Sequence, residues 1–137
     1  SQKEIFFTMQ LPHSWNQDDI DIHVHWVAES TAADSKVRWG LEYAWAEIGA
    51  VFGDTAIVYA DTDTESATGT TANEHKVTPF AAISPTTDQD GISSVLIGRL
   101  FRNSAADEDT YTGKAGLLYI DAHYQINSIG SNDEYTK

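Results

Sequence analysis

In Asp18 to Trp26, DDIDIHVHW, apolar and ionisable residues alternate without a break. Successive side chains of a strand point to opposite faces, so Ile20, Ile22, Val24 and Trp26 share one face while Asp19, Asp21, His23 and His25 share the other. A half-buried strand has this period, and a helix does not. Near the other end of the chain Gly116 to Ile126, GLLYIDAHYQI, repeats the device. There Leu118, Ile120, Ala122, Tyr124 and Ile126 fall on one face, and Tyr119, Asp121, His123 and Gln125 on the other. Two strands thus each present an Asp-x-His element away from an apolar core.

Working outward, Lys3 to Gln10 reads as a first strand, stopped by Pro12, which has no amide hydrogen to give a ladder. His13 to Gln17 is expected to be a loop, which makes Trp15 the one tryptophan expected at the surface. Trp26, Trp39 and Trp45 lie in phase with aliphatic residues and are expected in the core. Ser30 to Ser35 reads as a turn. Lys36 to Ile48 alternates aromatic and small residues at two-residue spacing, which favours a strand over a helix for LEYAWAEI. Thr55 to Tyr59 is a short strand, and the polar run Ala60 to Asn73 a long exposed loop. His75 to Ile83, interrupted by Pro79, belongs at an edge or bend. Asp90-Gly91 marks a turn, and Ile92 to Arg102 and Ala115 to Asn127 are the last two strands, separated by the acidic loop Asn103 to Lys114. The polar tail Ser128 to Lys137 is expected on the surface.

About eight strands without a long amphipathic helix predict a single all-β domain over residues 1–137, an antiparallel β-sandwich, jelly-roll-like before immunoglobulin-like. With 137 residues, 41% hydrophobic, the chain suffices for one core. A net charge of −13 with only eight Lys and Arg argues against partners that are nucleic acid or an anionic membrane. Cysteine is absent, which excludes disulfides, thiolate metal sites and a cysteine nucleophile. No run approaches a membrane span, and SQKEIFF lacks a signal-peptide pattern.

The imidazole and carboxylate faces allow two chemistries. His23 and His25 aim their rings the same way, so with His123 or Asp121 from a neighbouring strand they are the candidate ligands of a metal, and of a metal-dependent jelly-roll enzyme. The glycine-framed motif of cupin-type enzymes is not matched. The plainer reading, adopted here, holds no cofactor and makes the same side chains a subunit contact. Asp21, His23, His25, Arg99, Asp121 and His123 are then the expected oligomer interface, packed around a threefold axis. Glu42, Glu47 and Asp121 offer a glycosidase-like pair, but among 21 acidic residues such a pair carries little weight. No Gly-x-Ser-x-Gly elbow appears. The acidic runs Asp61 to Glu65 and Asp107 to Asp109 lack the ligand spacing of a calcium loop and read as solvated.

The segments FFTMQLPHSW, DIHVHWV, VRWGLEYAWAEIGAVFG and AGLLYIDAHYQINSIGSNDEYTK resemble, over nearly the whole chain, a family of uncharacterised tailed-bacteriophage virion structural proteins. The resemblance implies a non-enzymatic viral structural protein located in the virion, assembled in the host bacterial cytoplasm. The expected role is a homotrimeric capsid decoration or minor capsid protein on the head. Its partners would be further copies and the major capsid protein. The alternative is a head-fibre or tail-fibre tip that binds host surface glycans through the loops 60–73 and 103–114. Members usually carry more residues ahead of the FFTMQLPH-like segment than the few found here; if those residues anchor the domain to the particle, a processed or partial form is expected.

Overall fold

The computed structural model describes residues 2–61 and 69–133. It is all-β, with β1 (Glu4–Gln10), β2 (Trp15–Ala28), β3 (Arg38–Ala46), β4 (Ala56–Asp61), β5 (His75–Pro79), β6 (Val95–Arg102) and β7 (Ala115–Ile126). These make two antiparallel sheets, one of four strands in the order β1-β6-β3-β4 and one of three in the order β5-β2-β7. The strand count among the described residues is therefore seven, against an expectation of about eight. β1 with β6, β2 with β5, and β3 with β4 pair as a nested set, and successive nested pairs fall in opposite sheets. β7 stands outside the nest and pairs with β2. Among the described strands only β3 and β4 are consecutive members of one sheet; the other successive strands lie in opposite sheets.

One core fills the space between the sheets. Ile20, Ile22, Val24 and Trp26 of β2 face Trp39, Leu41 and Trp45 of β3 and Leu96 and Leu100 of β6. The β2 alternation holds as the sequence predicts, and Trp26 meets Trp39 edge-on at 6.2 Å. Two buried hydroxyls satisfy two of the indole donors inside this apolar space, Thr78 accepting from Trp26 and Ser94 from Trp45 at 3.0 Å each.

Two expectations about the core fail, both at irregularities. Trp15 is fully buried, its ring 5.6 Å from that of Trp45 and its Nε1 donating to the Asp18 carbonyl. The segment taken for a loop is the start of β2. It is kinked by Gln17 at φ 70°, which breaks the two-residue period between Trp15 and Ile20 and so hides the inward direction of Trp15. In β7 the failure is a bulge. His25 pairs with Tyr119 but Trp26 pairs with Leu117, so Leu118 is the extra residue and the parity of everything before it flips. Ala115 and Leu117 therefore join Ile120 and Ala122 against the core, while Leu118 is 55% exposed. Tyr124 and Ile126, also expected inside, are exposed on this edge strand.

The remaining boundaries shift less. β4 runs on to Asp61, and Ala60 is buried. Of the loop expected over 60–73, residues 62–68 lie outside the described residues, and Thr70 is buried, exchanging backbone hydrogen bonds with Ala32. The segment from His75 to Ile83 lies on the edge beside β2 as expected, with Phe80 and Ile83 continuing the hydrogen bonding past Pro79. Two strand glycines are seats for cross-strand rings. Phe101 lies over Gly40 and Phe7 over Gly98, each ring occupying the space a Cβ would need.

Candidate functional site: a histidine and aspartate face

The outward side of the three-stranded sheet gathers four of the five histidines. Register places them: His23 is opposite Asp121, Asp21 opposite His123, His25 opposite Tyr119, and Val27 opposite His75. The alternation that buries Ile22, Val24 and Trp26 is what turns His23 and His25 outward, so the site is a direct product of the core pattern. The bulge at Leu118 lies one residue beyond Tyr119 and so leaves the parity of Asp121 and His123 matched to that of β2.

Asp121 is the centre. His25 Nε2 lies 3.3 Å and His123 Nε2 3.2 Å from Asp121 Oδ2, while His23 Nδ1 lies 3.7 Å from Oδ1. His25 Nδ1 is 2.8 Å from His75 Nε2, which links β5, β2 and β7 in one chain of polar contacts. The His23 and His123 rings approach to 4.3 Å between centroids. Asp121 Oδ1 is buried and has no hydrogen-bond partner among the described residues. One ring nitrogen each of His23 and His123 and one carboxylate oxygen of Asp121 all lie within 4.8 Å of one another. Asp18, Asp19 and Asp21 line a shallow groove with His123, so the surroundings of the cluster are acidic.

The expected interface set divides. Asp21, His23, His25, Asp121 and His123 share this face, but Arg99 of β6 lies on the outward face of the other sheet, where it bonds Glu4 and Glu42 at 2.6 Å each. Glu42 also accepts a 2.7 Å hydrogen bond from Thr55. That hydroxyl, and then Arg99, hold its carboxyl below the ordinary glutamate range. Glu42 and Asp121 point away from opposite sides of the sandwich and cannot act as a catalytic pair. Arg102, the last residue of β6, is bound within its own chain. It forks onto Asp109 with contacts of 2.8 and 2.5 Å and also donates to the carbonyls of Gly113 and Tyr111. The Asp109 side chain is 1% exposed, a buried anchor at the end of a run whose other members, Asp107 and Glu108, are exposed as expected, Glu108 pairing with Arg38. Of the run Asp61 to Glu65, Asp61 pairs with Arg38 and the rest lies outside the described residues.

Two features escaped the sequence reading. His75 joins the cluster, although its strand carries no alternation that marks it. A groove of about 500 Å³ also runs between the β1 and β7 edges, lined by Met9, Leu11, Tyr119, Asp121 and Tyr124 among others. No family model, no curated protein and no solved structure matches this chain.

Proposed function

We propose that this chain is a non-enzymatic structural protein that works by self-association, a homotrimeric virion protein decorating a phage head, with its seven strands wound as a jelly roll. The observation that carries the self-association is the outward face of the four-stranded sheet. Phe6 is 70% exposed there, and Ile57, Tyr59 and Ile97 each exceed 40%, arranged around the Glu4–Arg99–Glu42 ion pairs. Exposed apolar groups gathered on one face, beside charges already paired within the chain, mark a protein contact, and a second and third copy of the same chain are the occupants that closed symmetry favours. Arg99 thus stays in the interface, while the histidine face is left free. The nested pairing of β1–β6, β2–β5 and β3–β4 supports the jelly-roll winding, and the virion setting rests on the sequence resemblance. A charge of −13 keeps a many-copy surface protein from aggregating.

The test is the mass of the purified chain in solution by light scattering, with Phe6→Asp and Ile97→Asp as disrupting variants, and its copy number against the major capsid protein in purified particles. A trimer dissociated by those variants, at about one copy per capsid subunit, is the expected result. A monomer insensitive to them refutes the assembly, and a few copies per particle moves the reading to a fibre tip. The groove carrying Tyr119, Tyr124 and Asp121 favours that second reading, since tyrosine rings beside a carboxylate suit a sugar, and a glycan array probes it directly.

A further inference from the structure

We infer that His23, His123 and Asp121 form a binding site for one divalent transition metal ion of the zinc class, with His25 and His75 as the groups that orient the carboxylate. The geometry comes first. Zinc held by imidazole nitrogen and carboxylate oxygen at about 2.1 Å in a tetrahedron requires donor atoms about 3.4 Å apart. His123 Nε2 lies 3.2 Å from Asp121 Oδ2 and His23 Nδ1 3.7 Å from Oδ1, both close to that separation though on different carboxylate oxygens, and one nitrogen of each ring with a single carboxylate oxygen all lie within 4.8 Å of one another. The three donors come from adjacent strands paired in register, so small side-chain rotations close the remaining distance between the two imidazoles.

Donor chemistry and the surrounding shell agree with this. Two imidazoles and one carboxylate suit zinc, nickel, cobalt or copper, whereas calcium and magnesium select all-oxygen sets. Among the described residues Asp121 Oδ1 is buried without a hydrogen-bond partner, an unmet acceptor on the oxygen nearest His23. Its other oxygen faces His25, which in turn meets His75, and such outer contacts fix the orientation of a ligating carboxylate. His123 is 60% exposed at its side chain, so the ion has a path in and a fourth position open to water. The acidic groove of Asp18, Asp19 and Asp21 adds a potential that draws cations. This replaces the expectation that the face holds no metal. It is independent of the assembly proposal, because binding is read on the isolated chain.

The deciding experiment titrates Zn²⁺ into the full chain, freed of metal by chelator, at pH 7.5 by calorimetry. One ion per chain is expected, with binding lost in His123→Ala and Asp121→Asn and retained in His13→Ala, since His13 contacts Ser93 away from the cluster. His25→Ala should weaken binding by about tenfold, as an outer-shell residue does. His123→Ala decides the matter because an exposed side chain leaves no cavity, and circular dichroism verifies the fold of each variant. Absence of binding, binding that survives His123→Ala, or equal displacement of Zn²⁺ by Ca²⁺ each overturns the inference.

Discussion

Replacing Gly40 by Ala tests whether the strand glycines are seats for cross-strand rings. An added Cβ would collide with the Phe101 ring, the third-nearest ring atom being only 2.9 Å away. The ring is 5% exposed, held under Arg99 at 4.6 Å and against Tyr59 at 6.2 Å. Lifting a phenyl ring off its seat loses about 1.5–3 kcal/mol of apolar burial. The substitution itself gains about 0.5–1 kcal/mol by stiffening the unfolded chain. Gly40→Ala should therefore destabilise by about 1–2 kcal/mol, which moves a urea midpoint down by about 1 M for a domain of this size. The cycle with Phe101→Ala isolates the cause. Once the ring is gone the methyl has room, so Gly40→Ala in that background should be neutral or stabilising, a coupling of about 1.5–3 kcal/mol. Equal destabilisation in both backgrounds would refute the seat and place the cost in the backbone instead.

Trp15→Ala should cost about 3–5 kcal/mol in chemical denaturation and alter the emission of Trp45, its ring neighbour; a loss under 1 kcal/mol would mean that the ring is not buried. Asp109→Asn should cost about 3 kcal/mol, because it leaves the Arg102 guanidinium without its buried counter-charge, and a thermal melt matching the parent would show the pair to be dispensable. Glu42 has a folded-state pKa below its unfolded value, so its contribution is present above the unfolded value and is lost as pH falls through the lower, folded one. Glu42→Gln should accordingly flatten the acid limb of the stability curve below about pH 4.5 and leave its slope near neutrality unchanged, as followed by melts across pH.

Where the two-residue period is unbroken, the sequence is legible. The β2 stretch from Ile20 to Trp26 shows both its buried and its outward residues, and with them His23 and His25. Asp121 and His123 are equally plain, being on the regular side of the bulge in β7. Period fails at Gln17 and at Leu118, since a positive φ and an inserted residue each change parity without leaving a mark that distinguishes them from ordinary alternation. Placement across sheets was not legible either. Arg99 has the same outward parity as His23, and only the strand order, a property of long-range pairing, shows that the two look away from each other. His75 belongs to the cluster for the same reason: β5 is adjacent to β2 through the nested pairing, and no local pattern encodes that adjacency.

The pairing of β7 with β2 also sets when the histidine face can exist. During synthesis, β2 emerges about 90 residues ahead of β7 and at ribosomal speeds waits several seconds for its partner, which is a long exposure for an unpaired edge. Until then His23 and His25 stand beside one another without the carboxylate that draws them together. A chain halted before Ala115 retains the other six strands yet lacks Asp121 and His123 altogether, so the cluster marks a chain in which β7 has been made and paired. A metal bound there would favour the chain in which the last strand has docked and would oppose its release, acting as a latch on the final step of folding.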